Sequence, residues 1–113
     1  MVSKILIWYA EQLYDMKVTI SYSKDNDIMF LHTHFDDFKI YLKDKERFDK
    51  YTVSHKNKVE EKGNWHVQMT CKSLDYAIYM CLVHGFNKIY NLWSTNEDYH
   101  RFCNDAIKAY NYG

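Results

Sequence analysis

Residues 17–43, KVTISYSKDNDIMFLHTHFDDFKIYLK, decide the fold. Val18, Ile20 and Tyr22 alternate with polar neighbours, the period of a strand with one face buried. Asp25-Asn26-Asp27 follows, and Asx side chains favour turns because they hydrogen-bond their own backbone. Ile28 to Phe35 reads as a second strand, and Asp36-Asp37 as a short turn. Phe38, Ile40 and Leu42 then alternate over Phe38–Lys43. Three strands with short connections predict an antiparallel meander.

Upstream, Ile5, Trp8, Tyr9, Leu13 and Met16 recur at helical spacing and predict an opening helix over residues 4–15. Downstream, residues 43–62 carry seven basic and five acidic side chains among few large apolar ones. This stretch reads mostly as exposed loop, with a short edge strand around Tyr51–Ser54. Trp65, Val67, Met69 and Cys71 alternate, predicting a further strand with those four on one face. Ser73 fits an N-cap, the stripe Leu74, Ala77, Ile78, Cys81 and Leu82 a helix, and Gly85 its stop. Ser94 and Glu97 fit a capping box opening a last helix to about Tyr110. Tyr99, Phe102, Cys103, Ala106, Ile107 and Tyr110 form its expected buried face. The expectation is one α+β domain over residues 1–113. It has an N-terminal helix, an antiparallel sheet of four to five strands, and two C-terminal helices packed on one face.

Composition narrows function more than it names it. The 113 residues hold fifteen Lys+Arg and fifteen Asp+Glu, for a formal net charge of zero. That balance disfavours a strongly electrostatic nucleic-acid binder. It is a sum of unlike parts, however. Residues 1–42 have four Lys against six acidic residues, whereas residues 43–58 have six basic against three acidic. With Phe48 and Tyr51 interleaved, the stretch 43–58 is a candidate nucleic-acid-binding loop using phosphate contacts and stacking. Cys71, Cys81 and Cys103 are odd in number, form no CxxC and fall on apolar stripes. They read as reduced core residues, which points to the cytoplasm. The apolar run Ile5–Ala10 is followed at once by Glu11, so neither a signal peptide nor a membrane span is expected.

The sharpest local pattern is His32-Thr-His34-Phe-Asp36-Asp37. Two His at i and i+2 on a strand share a face and reach one metal. The run resembles the H-x-H-x-D-H signature of the metallo-β-lactamase superfamily, which binds a zinc pair at a strand end and activates water for hydrolysis. His32, His34 and Asp36 match, and Asp37 stands where the last His belongs. The resemblance covers six residues, and that family needs a longer chain. His32, His34 and Asp36 are therefore weak metal candidates, and the plainer reading is a half-exposed strand without metal. A cluster of His32, His34 and His66 requires that their strands pair. His66 itself reads as polar-face, beside Gln68 and Thr70. His84 reads as a last-turn residue suited to the helix dipole. His100, past the first turn of the last helix, reads as exposed, and His55 suggests nothing specific. With three Gly there is no phosphate loop, and no nucleophile motif occurs. A non-enzyme without cofactor is expected.

Aromatics make up 18% of the chain, with eleven Tyr. Trp8, Tyr9, Phe30, Trp65 and Phe102 are assigned to the core. Tyr41, Tyr79, Tyr90, Trp93 and Tyr112 lack an obvious core position, and Tyr and Trp are frequent binding anchors. The leading expectation is a small binding protein that occludes or bridges a protein partner, which a host nucleoprotein complex would satisfy. Its contact residues would be Tyr41, Lys43, Lys45, Arg47 and Lys50, or the link Tyr90–Trp93. In size and texture the chain resembles the small phage and mobile-element inhibitors of host defence, anti-CRISPR inhibitors among them. A homodimer through an uncovered sheet face or edge stays open.

Overall fold

The computed structural model describes residues 2–43, 50–57, 64–90 and 94–112. Its elements run α1 (Val2–Tyr14), β1 (Thr19–Tyr22), β2 (Ile28–His32), β3 (Asp36–Tyr41), β4 (Tyr51–Asn57), β5 (His66–Cys71), α2 (Leu74–Tyr90) and α3 (Asn96–Tyr112). The five strands form one antiparallel sheet in the order β1-β2-β3-β4-β5. The expected α+β arrangement is the observed one.

Local chemistry explains the boundaries. Asp15 takes a left-handed φ of 51° and ends α1, and Asn26 with φ 58° closes the β1–β2 turn. Both are residue types that tolerate this region. The Ser23 hydroxyl accepts from the amides of Asp27 and Ile28 at 3.1 and 3.0 Å. The β2–β3 turn lies at Thr33–Phe35, not at Asp36-Asp37. There Thr33 Oγ1 accepts from the Asp36 amide at 3.2 Å, and the Thr33 amide donates to the Asp36 carbonyl at 2.9 Å. Asp36 thus opens β3, facing inward.

Three further expectations need correction. β4 is no short edge strand. It runs seven residues inside the sheet between β3 and β5, and its Val53, Ser54 and His55 are buried. Gly85 does not stop α2, which continues to Tyr90. A Cβ on Gly85 would lie 3.2 Å from Met16 Cε, so its use is close packing of α2 against the chain beyond α1. The last helix is capped one residue later than Ser94/Glu97 suggests. The Thr95 hydroxyl accepts from the Asp98 amide (3.0 Å), and the Asp98 carboxylate accepts from the Thr95 amide (3.1 Å). The Ser73 cap is as expected, accepting from the Tyr76 amide at 2.9 Å.

The core joins Leu6 and Ala10 of α1, Leu31, Phe38, Ile40 and Val53 of the sheet, Ile78, Leu82 and Phe86 of α2, and Ala106 of α3. Burying each large apolar side chain contributes about 1.5–3 kcal/mol, so this cluster dominates stability. α2 packs on β3, β4 and β5, while α1 packs against both α2 and α3. All three cysteines are free and buried, and burial pushes the Cys81 thiol well above its ordinary range.

The helical layer absorbs much of the aromatic excess. Tyr79 is no surplus residue: it is 3% exposed and packs at 5.2–5.5 Å from the rings of Tyr99 and Phe102. Tyr9 meets Phe102 edge-on at 5.2 Å, and Tyr14 packs on Phe86 at 4.3 Å with the rings tilted by 40°. Tyr110 is exposed, not buried, and meets Trp8 edge-on at 5.7 Å.

Candidate functional site

Strand alternation gives the sheet two chemically different faces. Inward point Met29 and Leu31, then Asp36, Phe38 and Ile40, then Val53 and His55. Outward point Ile28, Phe30 and His32, then Asp37, Lys39 and Tyr41, then Thr52 and Lys56, as the cross-strand register requires. His32 Nδ1 lies 2.8 Å from Asp37 Oδ1 on this outer side.

β5 departs from strict alternation. Met69 pairs with Val53, but Val67 pairs with Ser54 and His66 with His55, leaving Gln68 as an extra residue. A bulge of this kind reverses parity upstream of itself. Met69 and Cys71 therefore belong to the inner side. Val67 is turned outward and is 66% exposed, contrary to the expected single face for all four residues. Trp65 is likewise outward, with the Lys39 ammonium 4.1 Å from its ring centroid. Phe30 and Trp65 are thus half-buried outer-face residues and not core. The same parity reversal moves His66 off the polar face and sets it opposite His55.

The inner face carries a polar cluster within the apolar layer. Asp36 is fully buried and its Oδ1 accepts from His55 Nε2 at 2.7 Å. His55 Nδ1 lies 3.3 Å from Nε2 of the exposed His66. His84 comes from α2, where the helix running past Gly85 places it in mid-helix and not in a last turn. Its ring centroid is 4.4 Å from that of His55, and Phe38 packs against both rings at 5.2 and 5.8 Å. One ligand-type atom from each of Asp36, His55 and His84 lies within 4.8 Å of the others. Three elements, β3, β4 and α2, contribute one residue each.

The sequence-derived metal candidates do not form one cluster: His32 and His34 line a common surface pocket with Lys17 and Thr19, and Asp36 is not part of it. His32 and Asp36 lie on opposite faces, and His34 is exposed in the turn, edge-on to Phe35 at 4.7 Å. His66 is on β5, separated from β2 by both β3 and β4, so the cluster of His32, His34 and His66 does not form. Asp36 is the one shared member, with other partners. What sequence reasoning missed is His55 and His84. The signal was present as a histidine two residues beyond Val53 on the inward phase, and another three beyond Cys81 on the helix stripe.

Of the expected contact residues, Tyr41 is half-buried on the outer face. Lys43 reaches Asp27 at 3.3 Å, and Lys50 is exposed just ahead of β4. Tyr90 ends α2 and packs against Tyr14 at 5.1 Å with the rings tilted, in the layer away from Tyr41. Lys45, Arg47 and Trp93 lie outside the described residues, as do six of the sixteen positions of the basic stretch 43–58 (44–49) and its last, Lys58. Residues 51–57 of that stretch are β4 itself. Tyr112 is 88% exposed. Between the helices, Tyr9, Leu13, Tyr14, Phe86, Arg101 and Phe102 line a cleft of about 340 Å³. Among the described residues no helix is long and apolar enough to cross a membrane. No protein-family model, no curated protein and no solved structure matches this chain.

Proposed function

We propose that this chain is a small non-enzymatic binding protein whose partner, another protein, docks on the outward face of the sheet. The observation that carries this reading is the make-up of that face. Ile28 and Phe30 from β2 adjoin Tyr41 of β3, and across β4's Thr52 and Ser54 the same face carries Trp65 ahead of β5 and Val67 within it, with Lys39 bridging to the Trp65 ring. The described helices pack on the other side. Rigid aromatic side chains anchor protein interfaces because they cover much area at little entropic cost.

Charge selects the kind of partner. Lys39 stands among these apolar groups, against the Trp65 ring, while Lys56 faces Asp37 across the strands, so the complementary surface is apolar with an acidic group opposite Lys39. Occlusion is the mode we propose, acting in the cytoplasm. The resemblance in size and texture to small inhibitors of host defence makes such host proteins the first partners to test.

The test is a comparison of affinity captures from host lysate using the wild-type chain and the outer-face variant Val67→Glu/Tyr41→Ala. Wild type is expected to retain one protein at stoichiometric level that the variant loses while keeping its circular dichroism spectrum. Equal recovery by both, or by neither, overturns the reading. Light scattering that finds a dimer abolished by the same variant replaces it with self-association.

A further inference from the structure

We propose that Asp36, His55 and His84 form a binding site for a divalent first-row transition ion, with His66 as the outer partner of His55. The proposal stands on placement and donor chemistry. Two imidazoles and one carboxylate are a recurrent ligand set for zinc and for non-haem iron, and three protein ligands leave positions open for water or a further ligand. Here the three come from β3, β4 and α2, with donor atoms already within 4.8 Å of one another. On bonds of about 2.0–2.2 Å adjacent ligand atoms stand roughly 3.0–3.5 Å apart, so an ion would replace the 2.7 Å Asp36 Oδ1–His55 Nε2 hydrogen bond, displacing its proton and moving those two atoms slightly apart.

Each ligand is held by something that is not the ion. The Thr33 hydroxyl fixes the Asp36 backbone at 3.2 Å, which sets the carboxylate inward at the start of β3. Phe38 packs on both imidazole rings. Gly85, the neighbour of His84, lets α2 approach Met16 and Thr33 closely; an added Cβ would stand 3.8 Å from Thr33 Oγ1. His55 has its Nε2 toward Asp36 and its Nδ1 toward His66 Nε2 at 3.3 Å. With Nε2 on an ion, the Nδ1 proton has His66 Nε2 as its acceptor. An outer acceptor of this sort fixes the tautomer and ring orientation of a ligating histidine. His66 is exposed at the end of β5, so the cluster has solvent at one side. An ion there would close a link between sheet and helix, and it would stabilise the fold by mass action.

The experiment is titration of the full chain, freed of metal by chelator dialysis, with zinc and separately with cobalt(II). Readouts are calorimetry, the cobalt d–d spectrum and the Tm. Wild type is expected to bind one ion per chain with a rise of several degrees in Tm. The cobalt spectrum should have the intensity of a low-coordinate nitrogen–oxygen site. His84→Gln, a polar replacement of similar size at a half-buried position, should abolish stoichiometric binding while staying folded. His66→Gln should weaken binding by about 10- to 100-fold. His32→Gln, on the other face, should change nothing. Absence of a stoichiometric ion in wild type overturns the proposal. So does a His84→Gln protein that binds as wild type does, or a loss seen with His32→Gln.

Discussion

Asp36 and Asp37 are neighbours in sequence, and each pairs with a histidine at nearly the same distance, 2.7 Å to His55 and 2.8 Å to His32. Their settings differ. The Asp36–His55 side chains are 0% and 7% exposed, against 21% and 36% for Asp37–His32. Alternation along one strand has put the same pair of groups in apolar packing on one side and at the water boundary on the other. The lesson is that distance does not rank these contacts. Removing one member of a buried pair strands the other without water, whereas at the surface the solvent replaces the lost partner.

The largest effect that this contrast predicts is on Asp36. Asp36→Ala should lower unfolding free energy by about 3–5 kcal/mol in urea titration, the usual cost of orphaning a buried partner. Adding His55→Ala should cost less than the two single losses summed, with a coupling of about 0.5–3 kcal/mol. Additive single effects would break the comparison.

A second consequence of burial is expected at alkaline pH. Desolvation, then the nearby Asp98 carboxylate, pushes the Tyr79 hydroxyl from the usual 10 up to about 12. A raised folded-state value means that the neutral phenol is favoured in the fold. The stabilisation is therefore complete below pH 10 and is lost as pH rises toward about 12. Tyr79→Phe should flatten that alkaline fall in Tm, and an unchanged profile would assign it to other groups. Tyr99, also pushed to about 12 by burial, supplies the remainder.

The outer pair should matter less. Asp37→Ala is expected to cost no more than about 1 kcal/mol, and less at high salt. A loss as large as that of Asp36→Ala would mean that the two faces are energetically alike. Smallest of all is Gly85→Ala. Improved helix propensity and displacement of the Met16 methyl group, each about 1 kcal/mol, nearly cancel. A larger loss in thermal unfolding would show that the approach of α2 to the Thr33–Asp36 turn has no slack.

Much of the architecture was legible in the chain because period and capping are local properties. The alternation of Val18–Tyr22 and Phe38–Leu42, the stripe Ala77–Leu82 and the Ser73 cap all depend on residues a few positions apart. The polar cluster was not, since it depends on which strands pair and on parity. His66 changes sides because of one extra residue, and no alternation count locates a bulge. Gly85 carries the usual signal of a helix stop, but tertiary packing carries α2 on to Tyr90. That continuation is what moves His84 from a helix end to the sheet. The site candidates His32 and His34 followed from i, i+2 spacing, and the two do line one surface pocket, but Asp36 opens β3 on the opposite face and leaves them without a third ligand from that motif.

Gln68 has one more effect, on association. β5 is the last strand in the sheet order, and such a strand carries a backbone ladder able to recruit a further strand from another molecule. An extra residue in its middle breaks the spacing of that ladder and bends the strand, so a straight partner cannot register along its length. The bulge thus acts as a guard against open-ended stacking of sheets. A chain lacking Gln68 would keep Val67 opposite Ser54 and His66 opposite His55, yet present a continuous edge. Its fibrillation lag time is where the missing guard would be felt.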